Sequence, residues 1–387
     1  MLRLGLDGAL GHFTVDLDRL GACADGVAAT TRRDYPTLDV PFHARWRHFT
    51  AGGFDRWGTL AEAVRWPDVR ERARAAFDLA ITSVLLDAGA GPTWRYHEGR
   101  TGESFGRSEG LAVASFDAFI GGAFSARPSE PYRADAAALA TMDAAELGRL
   151  FGVRPGNELL GLSGRAELLN RLGRVCEEAP DVFGQGGDPR PGGLFDHLLS
   201  GMTSERIAAP AILEALLLHL GPVWPGRIVQ DGLDLGDTWR HPAIVAEDGT
   251  AGLVPFHKLS QWLAYSLVEP LEEAGVRVTD LDGLTGLPEY RNGGLFLDTG
   301  VLALRDPGAA EREHEVGSEL IVEWRALTVA LLDRVADPVR DRLGVDREHF
   351  PLAKVLEGGT WATGRRLAAE RRGGDPPLRV ASDGTVF

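Results

Sequence analysis

This sequence predicts a mainly α fold, a helical body with long Gly/Pro/Trp-rich loops and little sheet. Three observations point there: apolar residues recur at three- and four-residue spacing over long stretches, strand-like alternation is brief and weak, and the helical stretches carry stop signals. In chain order the periodic segments are 60–86, 110–119, 158–178, 210–220, 256–274 and 318–335. The first is closed by Gly89, Gly91 and Pro92, the fifth by Pro270 and then Gly275. At 387 residues, 44% of them hydrophobic, the chain can bury a large core. The expectation is one large helical domain over 1–387, with any sub-domain split near 180–200. The stretch Arg371 to Pro377 (RRGGDPP) reads as the start of a flexible tail over 371–387.

Charge narrows the partner class. Forty-one Lys+Arg against 56 Asp+Glu give a formal charge of -15, the wrong sign for counterion-driven attraction to a phosphate backbone. A nucleic-acid polymer is therefore not expected, whereas one phosphate needs only a few well-placed donors. Cys23 and Cys176 form neither a C-x-x-C pair nor a disulfide framework. The first residues reach Asp16 and Asp18 without an apolar run, and the longest such run, 208–220, is too short to span a bilayer. These features predict a cytoplasmic protein without membrane partners that acts on a small molecule.

Several loops hold Trp, His and Arg together, which a mere connector does not need: Pro41 to Phe49 (PFHARWRHF), Gly91 to Glu98 (GPTWRYHE) and Asp231 to Pro242 (DGLDLGDTWRHP). They read as pocket walls carried on a helical scaffold. Within 256–274, Lys258, Gln261 and Tyr265 share one stripe beside the apolar arc of Leu259, Trp262, Leu263 and Leu267. That stripe is either a solvated flank or a place where Lys258 meets an anionic substrate group. In 318–335, Arg325 projects onto the apolar arc between Ile321 and Leu332, where a guanidinium requires an anion. Glu289, Asp298 or a ligand could supply it. Glu323 lies on an Ala-rich side with Ala326 and Ala330, either simply exposed or facing a ligand. Between the two helices, LDGLTGLPEYRNGGLFLDTGVL packs Glu289, Arg291, Asn292 and Asp298 around Gly293 and Gly294. These glycines suit close approach of a ligand or an ordinary turn. Asp87 sits where a helix dipole disfavours a carboxylate and so should have a compensating partner. Ser108, in the Arg107–Glu109 turn, reads as an N-cap. Apart from His43 and His48, no histidine pair has zinc-ligand spacing, and the glycines of 184–193 lack both a Walker lysine and Rossmann spacing.

These blocks, in this order, resemble the uracil catabolism protein 4 family. The resemblance rests on VPFHKLSQWLAYSLVEPLEEAG, LTGLPEYRNGGL, VEWRALTVALLD, PFHARWRHF, SVLLDAGAGPTWRY, RSEGLAVASF and DGLDLGDTWRHP, and covers nearly the whole chain. It implies a place in uracil degradation through a ribosylurea-type intermediate. A second, weaker set of motifs is similar to the queuosine-5'-phosphate N-glycosylase family. It comprises Phe256, Lys258 and Gln261, then Leu284 to Arg291, Gly300 to Leu302, and Glu323 with Arg325, with Glu289 standing where that family has aspartate. The second resemblance implies a DNA-glycosylase-like helical fold and hydrolysis of an N-ribosyl bond on a 5'-phosphorylated nucleoside.

Together they imply an N-ribosyl hydrolase that releases urea and ribose phosphate, with no cofactor. Its transition state resembles an oxocarbenium ion, which a carboxylate stabilises while orienting water. Glu289 is the candidate for that role, and Asp231 or Asp237 for protonating the ureido nitrogen, with His257 in reserve. Lys258 with Arg291 or Arg325 would hold the 5'-phosphate and Glu323 the ribose hydroxyls, while Gln261 and Trp239 complete the expected binding set. Two rivals stay open: a metal-dependent amidohydrolase with His241, His257, Asp231 and Asp237 as ligands, releasing ammonia and carbon dioxide, and a non-catalytic partner of the ring-opening enzyme.

Overall fold

The computed structural model describes residues 1–87, 89–184, 187–201, 205–224 and 228–381. The periodic segments become helices: α2 (Val69–Leu85), α3 (Arg107–Ile120), α4 (Leu162–Glu178), α5 (Ala209–Leu220), α6 (Lys258–Glu273) and α8 (Glu319–Leu343). The first is shorter than its periodicity predicts. Pro67 disfavours helix at Trp66, and the chain restarts at Asp68, whose carboxylate accepts from the backbone N–H of Glu71 at 2.8 Å. The last is longer, running through Pro338 to a left-handed Gly344 with φ 73°. Helices α1 (Leu20–Asp34), α7 (Tyr290–Asp298) and α9 (Trp361–Arg372) lie outside the segments expected from periodicity.

α6 is the centre of the molecule. Its residues from Leu259 to Val268 are all buried, so it is a core helix rather than a surface one. It packs against α2 and α5, while α8 packs on α1 and α7 on α9. One apolar core runs from Leu10 to Leu378 and includes Val182, Phe183, Leu194 and Phe195 from the 180–200 region. Small residues set the closest crossings. A Cβ at Gly293 would lie 2.6 Å from the Trp324 indole, and one at Gly364 would strike the Arg291 carbonyl. Gly293 therefore serves helix packing, not ligand approach.

Sheet among the described residues consists of two-stranded pieces. Phe13–Val15 pairs antiparallel with Leu302–Leu304, and Thr238–Arg240 with Leu253–Pro255. The stretch expected to trail free is tied down as far as Ala381: Arg372 forms a two-pronged pair with Asp298 at 2.6 and 2.8 Å, and Arg379–Ala381 runs parallel to Glu313–Glu315. Residues 382–387 lie outside the described residues. Cys23 and Cys176 are buried free thiols. Among the described residues no helix is long and apolar enough to cross a membrane.

Candidate active site

The anion that Arg325 requires is Asp237, 88 residues earlier in the chain, and neither Glu289 nor Asp298. Nη1 and Nη2 donate to its two carboxylate oxygens at 2.9 and 2.8 Å, and the guanidinium lies 4.1 Å from the Phe256 ring centroid. The Trp239 indole N–H donates to Asp237 at 2.7 Å, and the backbone N–H of Lys258 donates at 3.1 Å. Burial alone would raise the Asp237 carboxyl, but the charge and hydrogen bonds of Arg325 outweigh it and hold the group below the usual carboxylate range. A carboxylate so saturated is a structural anchor for the start of α6 and a poor proton donor. Asp237 is thus an unsuitable acid and Arg325 an unsuitable phosphate ligand.

Other expectations also change place. Asp231 is exposed at the turn between Val229–Gln230 and Leu233–Asp234, with φ 52°. Glu323 is buried rather than open to ribose, accepting from the backbone N–H groups of Gly11 and His12 at 3.0 Å each and lying 3.3 Å from His241 Nε2. Gln261 accepts from Thr285 N–H at 3.1 Å while the Tyr265 hydroxyl donates to the Thr285 carbonyl at 3.1 Å, so both position the segment leading to Glu289. His257 is half-buried in the left-handed region, φ 47°, at the mouth of α6. Its pKa is lowered chiefly by burial. Trp239 packs on Gly317.

Glu289 is the N-cap of α7. Its two oxygens accept from the backbone N–H groups of Arg291 at 2.9 Å and Asn292 at 2.5 Å, which fixes the carboxylate and leaves lone pairs on both oxygens. Arg291 lies 3.9 Å from Glu289, with its guanidinium over the Tyr290 and Trp361 rings at 4.6 and 4.7 Å. Lys258, half-buried, is within electrostatic reach of Arg325, Glu289, Asp237 and Asp87. Burial and then the charge of Arg325 push its ammonium below the usual lysine range.

Trp361 opens onto a cavity of about 610 Å³, within the span of small-molecule sites. Arg47, Arg95, Arg107 and Arg365 line it against two carboxylates, Glu109 and Glu357, with His43 and His48. On a chain of net charge -15 this is a local reversal of sign. Its walls come from two of the three expected loops, 41–49 and 91–98, together with the Arg107 turn. The third loop folds onto α8 through Asp237 and His241. Arg107 opens α3 with φ 54°, and the helix N-cap is Gly106 rather than Ser108. The far wall was not foreseen. It lies where a π-helical turn, Leu356–Thr360, interrupts the approach to α9, placing Glu357 2.7 Å from His43 Nδ1 and projecting Trp361 and Arg365 at the cavity. The glycines in LEGGTW, which fit tightly against Val27 and Thr31 of α1, are the signal that could have revealed it.

Asp87 has the compensating partner its position demanded: Arg45, fully buried, 3.3 Å away. Among the described residues no three His, Cys, Asp or Glu side chains gather into a metal-ligand group.

Residues 1–387 match the family described as "Protein of unknown function (DUF1688)". The chain is 39% identical over 390 residues to "Protein urg3" of Schizosaccharomyces pombe and 38% identical over 417 residues to "Uracil catabolism protein 4" of Lachancea kluyveri. Each match covers 98% of this chain and 93% of the relative. The chain belongs to the family of urg3 and uracil catabolism protein 4.

Proposed function

We propose that this protein acts in uracil catabolism as an N-ribosyl hydrolase, converting a 5'-phosphorylated ribosylurea and water to ribose phosphate and urea. The observation that carries the reading is a carboxylate fixed by two backbone N–H groups, Glu289, next to a guanidinium that stacks on the wall of a cationic cavity. The names of the relatives support the pathway, and the similarity to queuosine-5'-phosphate N-glycosylases supports the bond.

The phosphate lies against Arg107 and Arg365 at the start of α3, where side-chain cations and helix N–H groups act together. Glu289 faces the anomeric carbon, stabilises its developing positive charge and takes a proton from the attacking water. The C–N bond breaks with its electron pair going to the ureido nitrogen, which also receives a proton. Lys258 supplies that proton, made more acidic by burial and Arg325.

Purified protein incubated with ribosylurea 5'-phosphate, and with ribosylurea itself, should release urea and the sugar, faster from the phosphate. Release of ammonia and carbon dioxide would replace this reading with the amidohydrolase. No turnover by the pure protein would replace it with a binding partner of the ring-opening enzyme.

A further inference from the structure

The cavity beside Trp361 presents two kinds of chemistry, and a phosphate accounts for one of them. Of its four arginines, Arg47 is committed to Glu269, with Nη2 donating to both carboxylate oxygens at 2.7 and 2.6 Å, and Arg95 donates to the Pro92 and Trp94 carbonyls at 3.1 and 2.7 Å. Arg107 and Arg365 remain, both exposed, the latter 3.8 Å from Glu109. The same cavity is lined by His43 and Glu357, a pair that a phosphate does not need and whose carboxylate would repel it.

The pair is held firmly. His43 Nδ1 lies 2.7 Å from Glu357 Oε2, and the two side chains are only 10% and 17% exposed. The backbone N–H of His43 donates to the Ala353 carbonyl at 3.1 Å, and Glu357 belongs to the π-helical turn Leu356–Thr360. That turn is wedged against α1: a Cβ at Gly358 would lie 3.1 Å from Thr31, and one at Gly359 2.5 Å from Val27. π-Helical turns are rare and gather at functional sites. A carboxylate only accepts, so the proton between the two groups belongs to Nδ1, which leaves Nε2 of the neutral ring as an acceptor. Among the described residues neither Nε2 nor Glu357 Oε1 has a hydrogen-bond partner, and neither atom is shut off from solvent.

The two kinds of chemistry together select the occupant. An anion alone leaves His43 and Glu357 unused, and an amine that met Glu357 would be repelled by the arginines. A vicinal diol offers two donors to two acceptors, and a sugar phosphate joins such a diol to an anion. We infer that His43 and Glu357 form the ribose subsite, with Glu357 Oε1 and His43 Nε2 accepting from the 2- and 3-hydroxyls while Arg107 and Arg365 hold the phosphate. The inference rests on the N-ribosyl hydrolase reading, which brings a ribose phosphate to this cavity. It gives Glu357 the part that Glu323, buried against Gly11 and His12, does not play. It also makes the pair a specificity device, because a 2-deoxy sugar leaves one largely buried acceptor without a donor.

Ribose 5-phosphate, 2-deoxyribose 5-phosphate and methyl phosphate are the probes, their binding measured by calorimetry on native protein, Glu357→Gln and His43→Asn. The second variant keeps a donor in the place of Nδ1 while deleting Nε2, and thermal midpoints check that both are folded. Native protein should bind ribose 5-phosphate about tenfold more tightly than the deoxy sugar, and each variant should weaken ribose 5-phosphate about tenfold while leaving methyl phosphate within about twofold. Native protein that binds no ribose 5-phosphate, or binds both sugars alike, overturns the inference without recourse to a variant. Folded variants that bind ribose 5-phosphate as native protein does overturn it as well. None of these measurements needs turnover. Hydrolysis of ribosylurea 5'-phosphate without a preference for ribose would remove the subsite and leave the hydrolase, and a ribose preference carried by Glu357 without hydrolysis would do the reverse.

Discussion

Arg325–Asp237 and Arg45–Asp87 are both buried ion pairs at the ends of core helices, and they differ in how completely each is satisfied. Asp237 accepts two bonds from Arg325, one from an indole and one from backbone, while Phe256 covers the guanidinium. Asp87 meets Arg45 at a single 3.3 Å contact, Oδ1 to Nη1, and Arg45 Nη2 makes no hydrogen bond. Burying a charge is costly, so a pair built for stability is saturated. Sequence flagged all four residues or their loops as anomalous. Only the contacts separate the saturated pair from the incompletely satisfied one.

The largest expected effect lies with the saturated pair. Arg325→Met leaves Asp237 buried and unpaired and should cost about 3–5 kcal/mol in chemical denaturation. The double variant Arg325→Met, Asp237→Leu should recover much of that loss, because an apolar replacement removes both desolvation penalties. The pair also sets an acid limit. Since the folded Asp237 carboxyl lies below its unfolded value, its stabilisation is complete above the unfolded pKa and is lost as pH falls through the folded one. Asp237→Asn should therefore flatten the acid limb of a thermal-midpoint profile.

Asp87→Asn should cost less, about 1–2 kcal/mol, because it weakens one 3.3 Å contact with Arg45 rather than a saturated pair. Equal losses in stability at Asp87 and Asp237 would erase the comparison. A pH profile sharpens it: with Lys258 as proton donor, activity should fall as pH rises through a pKa below the ordinary 10.5, and Lys258→Arg should lose that limb. The smallest effect belongs to the rim. Arg107→Ala and Arg365→Ala should each raise KM for the phosphorylated substrate about tenfold, less at high salt, and leave the unphosphorylated analogue unchanged.

Hydrophobic periodicity made the long helices legible, and the misplaced charges at Arg325 and Asp87 announced partners without naming them. Those partners come from 88 and 42 residues away in the chain, distances over which spacing carries no information. Glu323 looked open because Ala326 and Ala330 flank it. In the fold, the N-terminal turn at Gly11 and His12 covers it. Helix α7 escaped because nine residues are too few for a period to stand out, and α9 because charge dilutes its apolar face, while the π-helical turn before α9 hid the cavity wall formed by Glu357, Trp361 and Arg365.

The central claim, that Glu289 does chemistry and not only capping, is tested by Glu289→Gln, with kcat and thermal stability measured on the same sample. Capping alone accounts for about 1 kcal/mol of stability, and the general-base role for a loss of about a hundredfold or more in kcat. Catalysis lost from a protein whose melting is nearly native is the result expected. Native turnover, or activity that falls only in step with stability, would reduce Glu289 to a helix cap and remove the proposed active site.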